Sequence, residues 1–169
     1  MTAFISRELS GSSEFKTLLV AAGWRVEGRS LVVLAPLPFR EIPNCDWIFF
    51  SSKNAVRFFF QNISKTRSDD FESSDQYRHA KWAALGQATA KVLAEYVGKV
   101  DFVGTGEPKG TAVGFREASP PPGLSPSTGG EGPGVGLRIL FPAPRHSRQS
   151  VMSPLAPDFH CIHFEIYDN

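Results

Sequence analysis

The chain predicts an α/β layer fold, with a mostly parallel sheet flanked by helices, and three observations carry that prediction. Apolar segments of strand length alternate along the whole chain with segments of helical apolar spacing. The run Trp47-Ile48-Phe49-Phe50 is apolar without alternation, as strands buried on both faces are. Twice, a strand runs straight into a helix through a turn of small or hydroxylated residues, at Ser51-Ser52-Lys53 and at Gly86-Gln87-Ala88-Thr89. Such turns expose unpaired backbone N–H groups at the positive end of a helix.

The elements follow in order. Ala3 to Ser6 reads as a first strand. Ser12 or Ser13 caps the next helix, in which Phe15, Leu18, Leu19 and Ala22 keep helical spacing and Gly23 ends the run. Trp24 to Glu27 and Leu31 to Leu34 read as extended, and Pro36, Pro38 and Pro43 make a stiff connector. Asp46 to Phe50 is the buried strand, and Ala55, Val56, Phe59, Phe60 and Ile63 form the inner stripe of the helix after it. Residues 64–78 are polar and read as a loop or mobile helix end. Trp82 to Leu85 returns to the sheet. Val92, Leu93, Tyr96 and Val97 give the next stripe, stopped by Gly98. Val100 to Val103 is a strand ending in Gly104-Thr105-Gly106, before a short helix at 111–117. The Pro/Gly/Ser/Thr-rich stretch 118–136 reads as a disordered surface loop. Leu137 to Phe141 resumes the sheet, and Pro154 and Pro157 leave room for one short helix. In the last strand Ile162, Phe164 and Ile166 alternate with His163, Glu165 and Tyr167, which predicts one buried and one exposed face.

The totals narrow the function. The chain has 169 residues and a formal net charge of +1, with no basic block, so no nucleic-acid partner is implied. Met1 to Leu9 lacks a signal-peptide run, and no stretch is apolar enough to span a bilayer. The two cysteines, Cys45 and Cys161, stand alone and fit a reducing compartment, so a cytoplasmic protein is expected. Cys161 and His163 share a strand face, but two ligands without two more do not make a metal site. Gly106 to Thr111 lacks the residue order of a phosphate loop, and no Gly-x-Ser-x-Gly elbow signals a hydrolase.

In order and spacing, several of these turns resemble one family. Phe4-Ile5-Ser6-Arg7 is similar to its opening strand and polar turn. Trp47 to Val56 is similar to its strand, Ser/Thr turn and Ala-Val helix start. Leu85-Gly86-Gln87-Ala88-Thr89-Ala90 resembles its Gly-x-x-Thr-Ala turn, and Val103 to Gly106 its next strand end. Leu137 to Pro142 with Arg145 and Arg148 resembles a later strand and basic turn, and Ile166-Tyr167 the end of a connector. The family is uroporphyrinogen-III synthase. The resemblance implies two α/β domains, the first assembled from both ends of the chain. Residues 1–35 are then an N-terminal βαβ fragment of the split first domain. Residues 36–166 are a complete second domain carrying the loop 118–136, and 160–169 is the connector strand. A lone βαβ piece cannot bury its own apolar face.

The resemblance also implies the chemistry. The family cyclises hydroxymethylbilane, a linear tetrapyrrole rich in carboxylates, with loss of water and inversion of the last ring, and needs no metal or organic cofactor. Substrate-binding residues are then expected at Arg7, Ser51, Ser52, Lys53, Gly86, Gln87, Ala88, Thr89, Thr105, Gly106, Arg145 and Arg148, with Tyr167 as proton donor. Plainer roles stay open. Ser51 or Ser52 can simply cap a helix, Thr89 can bond its own helix, and Gly106 can serve only the turn. Arg145 and Arg148 can be solvated charges, and Tyr167 an edge-strand surface residue. The alternative function is a non-catalytic anion-binding α/β module, or an inactive shortened relative of the enzyme.

Overall fold

A computed structural model of the chain describes residues 1–6, 9, 13–65, 77, 79–120 and 136–168. They form two compact units, Met1–Ala35 and Pro36–Asp168. Among the described residues no helix is long and apolar enough to cross a membrane.

The first unit is β1 (Thr2–Ile5), α1 (Glu14–Ala21) and β2 (Arg25–Gly28). β1 and β2 pair in parallel, Thr2 opposite Arg25 and Ile5 opposite Gly28. Ser13 is the N-cap of α1, its Oγ accepting from the Lys16 N–H. Gly23, at φ +81, lets the chain leave the helix in the left-handed region. The helix buries none of its residues, and Leu18 is 69% exposed. Leu31 to Leu34, expected to be extended, forms no strand. The Ser30 hydroxyl donates to the Val32 carbonyl at 2.8 Å and accepts from the Val32 N–H at 3.3 Å. That local turn uses the backbone groups a ladder would need.

The second sheet has six strands: β3 (Ala35–Pro36), at the boundary of the two units, and, within the second unit, β4 (Trp47–Phe50), β5 (Lys81–Ala84), β6 (Phe102–Val103), β7 (Arg138–Pro144) and β8 (His160–Asp168). They lie in the order β3-β8-β7-β4-β5-β6. β4 pairs in parallel with β5 and β7, β5 with β6, and β7 with β8. β4 is central, and all four of its residues are buried, which is why its sequence does not alternate. One face of the sheet packs Trp47, Phe49, Phe141 and Ile139 against Phe115, Leu155 and Phe159. On the other face, Phe50 meets Phe59 edge-on at 5.4 Å.

The helices are α2 (Lys53–Lys65), α3 (Gln87–Val97), α4 (Pro108–Ala118) and α5 (Met152–Leu155). α2 buries Ala55, Val56, Phe59 and Ile63, four of the five residues in the expected stripe, and leaves Phe60 half-buried. In α3 the stripe is rotated. Thr89, Ala90 and Leu93 are buried, while Tyr96 is 49% exposed and stacks on Phe60 at 4.5 Å. Because the helix starts directly after Gly86, its small first-turn residues face the sheet, and Tyr96 finds a ring on α2 instead. α4 starts earlier than the expected 111–117, because Glu107 is its N-cap and Pro108 its first residue. Ala118, expected in the loop, is the last residue of α4, and the loops expected over 121–135 and 66–76 lie outside the described residues.

The alternation in β8 breaks at a bulge. Ala143 pairs with Glu165, but Pro144 pairs with Tyr167, so Ile166 is the extra residue. Ile166 and Tyr167 are therefore both buried, and Tyr167 stacks on Phe58 of α2 at 4.9 Å. The period-2 reading had put Tyr167 on the exposed face with His163 and Glu165. The one-residue insertion moves it to the other side.

Candidate functional site

Because the strands of the second unit run in parallel, the turns that follow them share one edge of the sheet. Ser51 and Ser52 leave β4, Gly86 to Thr89 leave β5, and Gly104 to Gly106 leave β6. Arg145 and Arg148 follow β7, and Tyr167 is near the end of β8. The chain steps outward from β4 to β5 and β6, then returns to the far side of β4 as β7 and steps on to β8. The topology therefore switches between β4 and β7, where open α/β sheets form a crevice beyond the strand ends. Arg7 lies outside the described residues.

Neighbouring turns touch through backbone. The Gly104 N–H donates to the Ala84 carbonyl at 2.8 Å and the Gly106 N–H to the Leu85 carbonyl at 2.7 Å. A Cβ on Gly86 would lie 2.7 Å from the Gly106 Cα, so glycine is required there for close approach.

The three helix starts differ in what they leave unpaired. At α2 the Ser52 Oγ accepts from the Ala55 N–H at 3.1 Å, so Ser52 caps the helix, and Lys53 and Asn54 are exposed ahead of that bond. Ser51 is half-buried, and its hydroxyl makes no hydrogen bond to the described residues. At α3 the cap is Gly86, which has no side chain to offer. The Thr89 and Ala90 N–H groups return to the Gly86 carbonyl, both at 3.0 Å, while those of Gln87 and Ala88, on exposed residues, have no partner among the described residues. Thr89 itself is buried.

At α4 the donors are spent. The Glu107 carboxylate accepts from the Lys109 N–H at 3.1 Å and the Gly110 N–H at 2.5 Å. Thr105 donates its N–H to the Thr111 Oγ1 at 3.1 Å, and its hydroxyl lies 3.2 Å from the Glu107 N–H. Thr111 in turn donates to the Leu85 carbonyl at 3.1 Å. The third turn is thus closed on itself, with an anion at its mouth, and the sequence reading had missed Glu107 as its cap. The N–H bonds of Gly110, then Lys109, hold the Glu107 carboxyl below its ordinary value of 4.5. The cap's stabilisation is therefore complete above that ordinary value and is lost as the pH falls through the lowered, folded-state value. Urea unfolding of Glu107→Gln is expected to show a lower midpoint than the parent at neutral pH, and the gap is expected to close in acid. An equal gap at both pH values would contradict this account.

The charged candidates on the far side are partly committed. The Arg145 Nε lies 3.1 Å from the Glu165 Oε2, and its guanidinium lies 3.7 Å from the Asp168 Oδ2. Arg148 is exposed and makes no ion pair with the described residues.

Two cavities bear on function. The larger, about 670 Å³, lies at the opposite edge of the sheet, lined by Asn44, Cys45, Asp46, His79, Lys81 and Ser119. Its polar groups serve the fold. The Asp46 Oδ2 accepts from the Arg138 N–H at 2.7 Å, and the Lys81 ammonium sits over Trp47 at 5.4 Å. Burial, then the Asp46 charge, pushes the Cys45 thiol up to about 11, so it is no nucleophile at neutral pH. Burial does the same to Cys161, also to about 11. The smaller cavity, about 30 Å³, sits at the switch point, lined among others by Ser51, Phe141, Ser147, Gln149 and His163. The His163 Nε2 is fully buried and has no partner among the described residues. The alternation of the last strand puts His163 on the exposed face with Cys161; the cavity exists only once β7 has returned next to β4. Among the described residues no three His, Cys, Asp or Glu side chains group to hold a metal ion.

The family model described as Uroporphyrinogen-III synthase HemD matches residues 13–169. No curated protein matches the chain. Among solved structures, a mutant uroporphyrinogen III synthase from Thermus thermophilus is similar at 14% identity and a TM-score of 0.60, over 99% of this chain and 62% of that one. The wild-type protein from the same organism gives 14% and 0.55, over 99% and 61%. A uroporphyrinogen-III synthetase from Helicobacter pylori gives 17% and 0.56, over 100% and 62%. The chain thus spans about 62% of the length of the solved structures it resembles, and at these identities the likeness is one of fold.

Proposed function

The chain belongs to the uroporphyrinogen-III synthase family, and on that premise we propose that it cyclises hydroxymethylbilane, with inversion of the last pyrrole ring and loss of water, as a cofactor-independent lyase of tetrapyrrole biosynthesis in the cytoplasm. The carrying observation is that α2 and α3 begin side by side on one edge of the sheet, with open N–H groups at their first turns. Two such turns suit the carboxylates of a flexible linear tetrapyrrole. Their work is to hold the chain folded so that its ends meet, which replaces an improbable loop closure with a positioned one. Ser51, Ser52, Lys53, Gly86, Gln87, Ala88 and Thr89 form this grip. Thr105 and Gly106 shape it by bracing the neighbouring turn. Arg148, which makes no ion pair with the described residues, offers its guanidinium to a further carboxylate, and Arg145 does so from its pairs with Glu165 and Asp168. The leaving hydroxyl needs a proton to depart as water, and Tyr167, held by its stack on Phe58, is the assigned donor.

A coupled assay tests the proposal. Freshly made hydroxymethylbilane is supplied, and type III product is expected above the spontaneous type I isomer. A second arm uses Gln87→Pro. Gln87 is the first residue of α3, and Gly86 before it is extended at φ −168 and ψ 175, a conformation that accepts a following proline. The helix keeps its start and loses one N–H. Loss of a hydrogen bond to a charged group predicts a fall in kcat/KM of about 10- to 100-fold at nearly unchanged stability.

A second reading has its own observation. In the first unit, α1 buries none of its residues, and Phe15, Leu18 and Val20 are exposed. On that reading the chain is a carboxylate-binding module without turnover. Type I product alone, with tetrapyrrole binding intact, selects the module.

A further inference from the structure

His163, Ser147 and Gln149, which line the switch-point cavity, stand outside the grip above, and Ser51 belongs to both. His163 lines the cavity, and the Nε2 of that imidazole is buried and without a partner among the described residues. Two hydroxyls join it. The Ser147 Oγ accepts from the Gln149 N–H at 3.3 Å, so its own O–H is left to donate, and the Ser51 hydroxyl has no bond to the described residues. Gln149, also in the lining, is a non-glycine residue at φ +50, in the left-handed region, and its carbonyl accepts from the Ser153 N–H at 2.9 Å at the start of α5. Backbone held in a sparsely populated conformation is characteristic of built sites. A buried polar atom without a partner is rare in native proteins and calls for an occupant.

We propose that this cavity is a carboxylate subsite, in which His163, Ser51 and Ser147 receive the end of one acetate arm of the tetrapyrrole. The identity of the arm rests on the functional reading above; the subsite's preference for a carboxylate does not. The cavity measures about 30 Å³, more than the roughly 10–15 Å³ one water needs on that scale, and it suits a carboxylate with one methylene better than a longer propionate. The lining offers three donors: the imidazole when its Nε2 carries the proton, and two hydroxyls able to rotate. The Phe141 side of the cavity is apolar and would pack the methylene. Occupied this way, the subsite fixes one ring of the substrate at the crevice between β4 and β7, beside the grip at the starts of α2 and α3.

The test has two arms on the full chain. In the first, long-range 1H–15N spectra read the four histidine side chains, with His163 identified by its absence from His163→Gln. Sodium acetate, compared with sodium chloride at equal ionic strength, is expected to move the His163 signals saturably and to leave those of His79, His146 and His160 where chloride leaves them. In the second, porphyrin fluorescence gives the affinity for a tetrapyrrole octacarboxylate and for an analogue with methyl groups in place of the acetates. His163→Leu is expected to bind the octacarboxylate about tenfold more weakly and the analogue unchanged, the size of one hydrogen bond to a charged group. His163→Gln, which keeps a donor at similar reach, is expected to recover most of the loss. If the parent and His163→Leu bind the octacarboxylate equally, the subsite is overturned and the functional reading survives. If the parent binds no tetrapyrrole but acetate still moves His163, the functional reading fails and the carboxylate subsite stands. Failure of both arms overturns both.

Discussion

Gly104→Ala is expected to destabilise the second unit by about 3–5 kcal/mol, the sum of overpacking and broken buried hydrogen bonds. The cause is contact, not backbone strain. A Cβ at this position would lie 2.2 Å from the Thr111 Cγ2, 2.4 Å from its Oγ1 and 2.6 Å from the Leu85 carbonyl oxygen. Relief requires β6 to part from β5 or the start of α4 to tilt away. Either movement pulls on the Gly104–Ala84 bond and on the two bonds of the buried Thr111 hydroxyl, from the Thr105 N–H and to the Leu85 carbonyl. Against a total of roughly 5–15 kcal/mol for a domain, such a loss is large. Adding Thr111→Ala removes two of the three clashing atoms but leaves the Leu85 oxygen, so the double variant is expected to recover only part of the loss. Gly114→Ala is the control. Its Cβ would meet nothing nearer than Phe102 at 3.8 Å, and it sits inside α4, so it is expected to be neutral or stabilising by about 0.5–1 kcal/mol. Urea unfolding followed by tryptophan fluorescence orders the four chains. Equal midpoints for Gly104→Ala and the parent would refute the crowding argument. Because Gly106 contacts the Gly86 turn, the same substitution is also expected to disturb the start of α3.

What could be read from the sequence followed from local chemistry. The unbroken apolar run of β4 announced a strand buried on both faces, and the hydroxyl turn after it announced a capped helix. The α2 stripe was legible because Ala55, Val56, Phe59 and Ile63 lie on one face at any starting phase. The α3 stripe was not, because its inner face is made of Thr89 and Ala90, which carry little apolar signal. The start of α4 was missed because a glutamate that caps the helix, followed by proline, reads as a loop. Tyr167 and His163 were misread for a deeper reason. The burial of Tyr167 depends on a bulge, and the partnerless nitrogen of His163 depends on β7 returning beside β4. Both are properties of pairing between distant segments, which no local pattern encodes. The rim was therefore legible as a set of turns, while the selection among them, two open and one closed by Glu107, required coordinates.

Phe115→Ala is expected to cost about 3–5 kcal/mol, the range for deleting a fully buried phenylalanine. Phe115, on α4, has no exposed surface and joins four rings edge-on: Trp47 at 5.0 Å, Phe102 at 5.1 Å, Phe49 at 5.6 Å and Phe159 at 5.7 Å. These come from β4, β6 and the segment just before β8, so removing the ring opens a cavity at the joint of the sheet and its α4 layer. Rings held from strands cannot collapse into the gap without breaking ladder bonds, which places the cost toward the upper end. Phe115→Leu, which keeps most of the volume, is expected to cost less than half as much. Leu18→Ala provides the contrast. Leu18 is an apolar residue on a helix, but it is 69% exposed, and its truncation is expected to change stability by no more than about 0.5 kcal/mol. Guanidinium unfolding midpoints distinguish the cases. If Leu18→Ala proved as costly as Phe115→Ala, the α1 face would be covered in solution and the first unit would have a partner surface. If Phe115→Ala proved silent, the aromatic cluster would not be the core that holds the strand ends in line, and the shared edge at which the α2 and α3 turns meet would need another explanation.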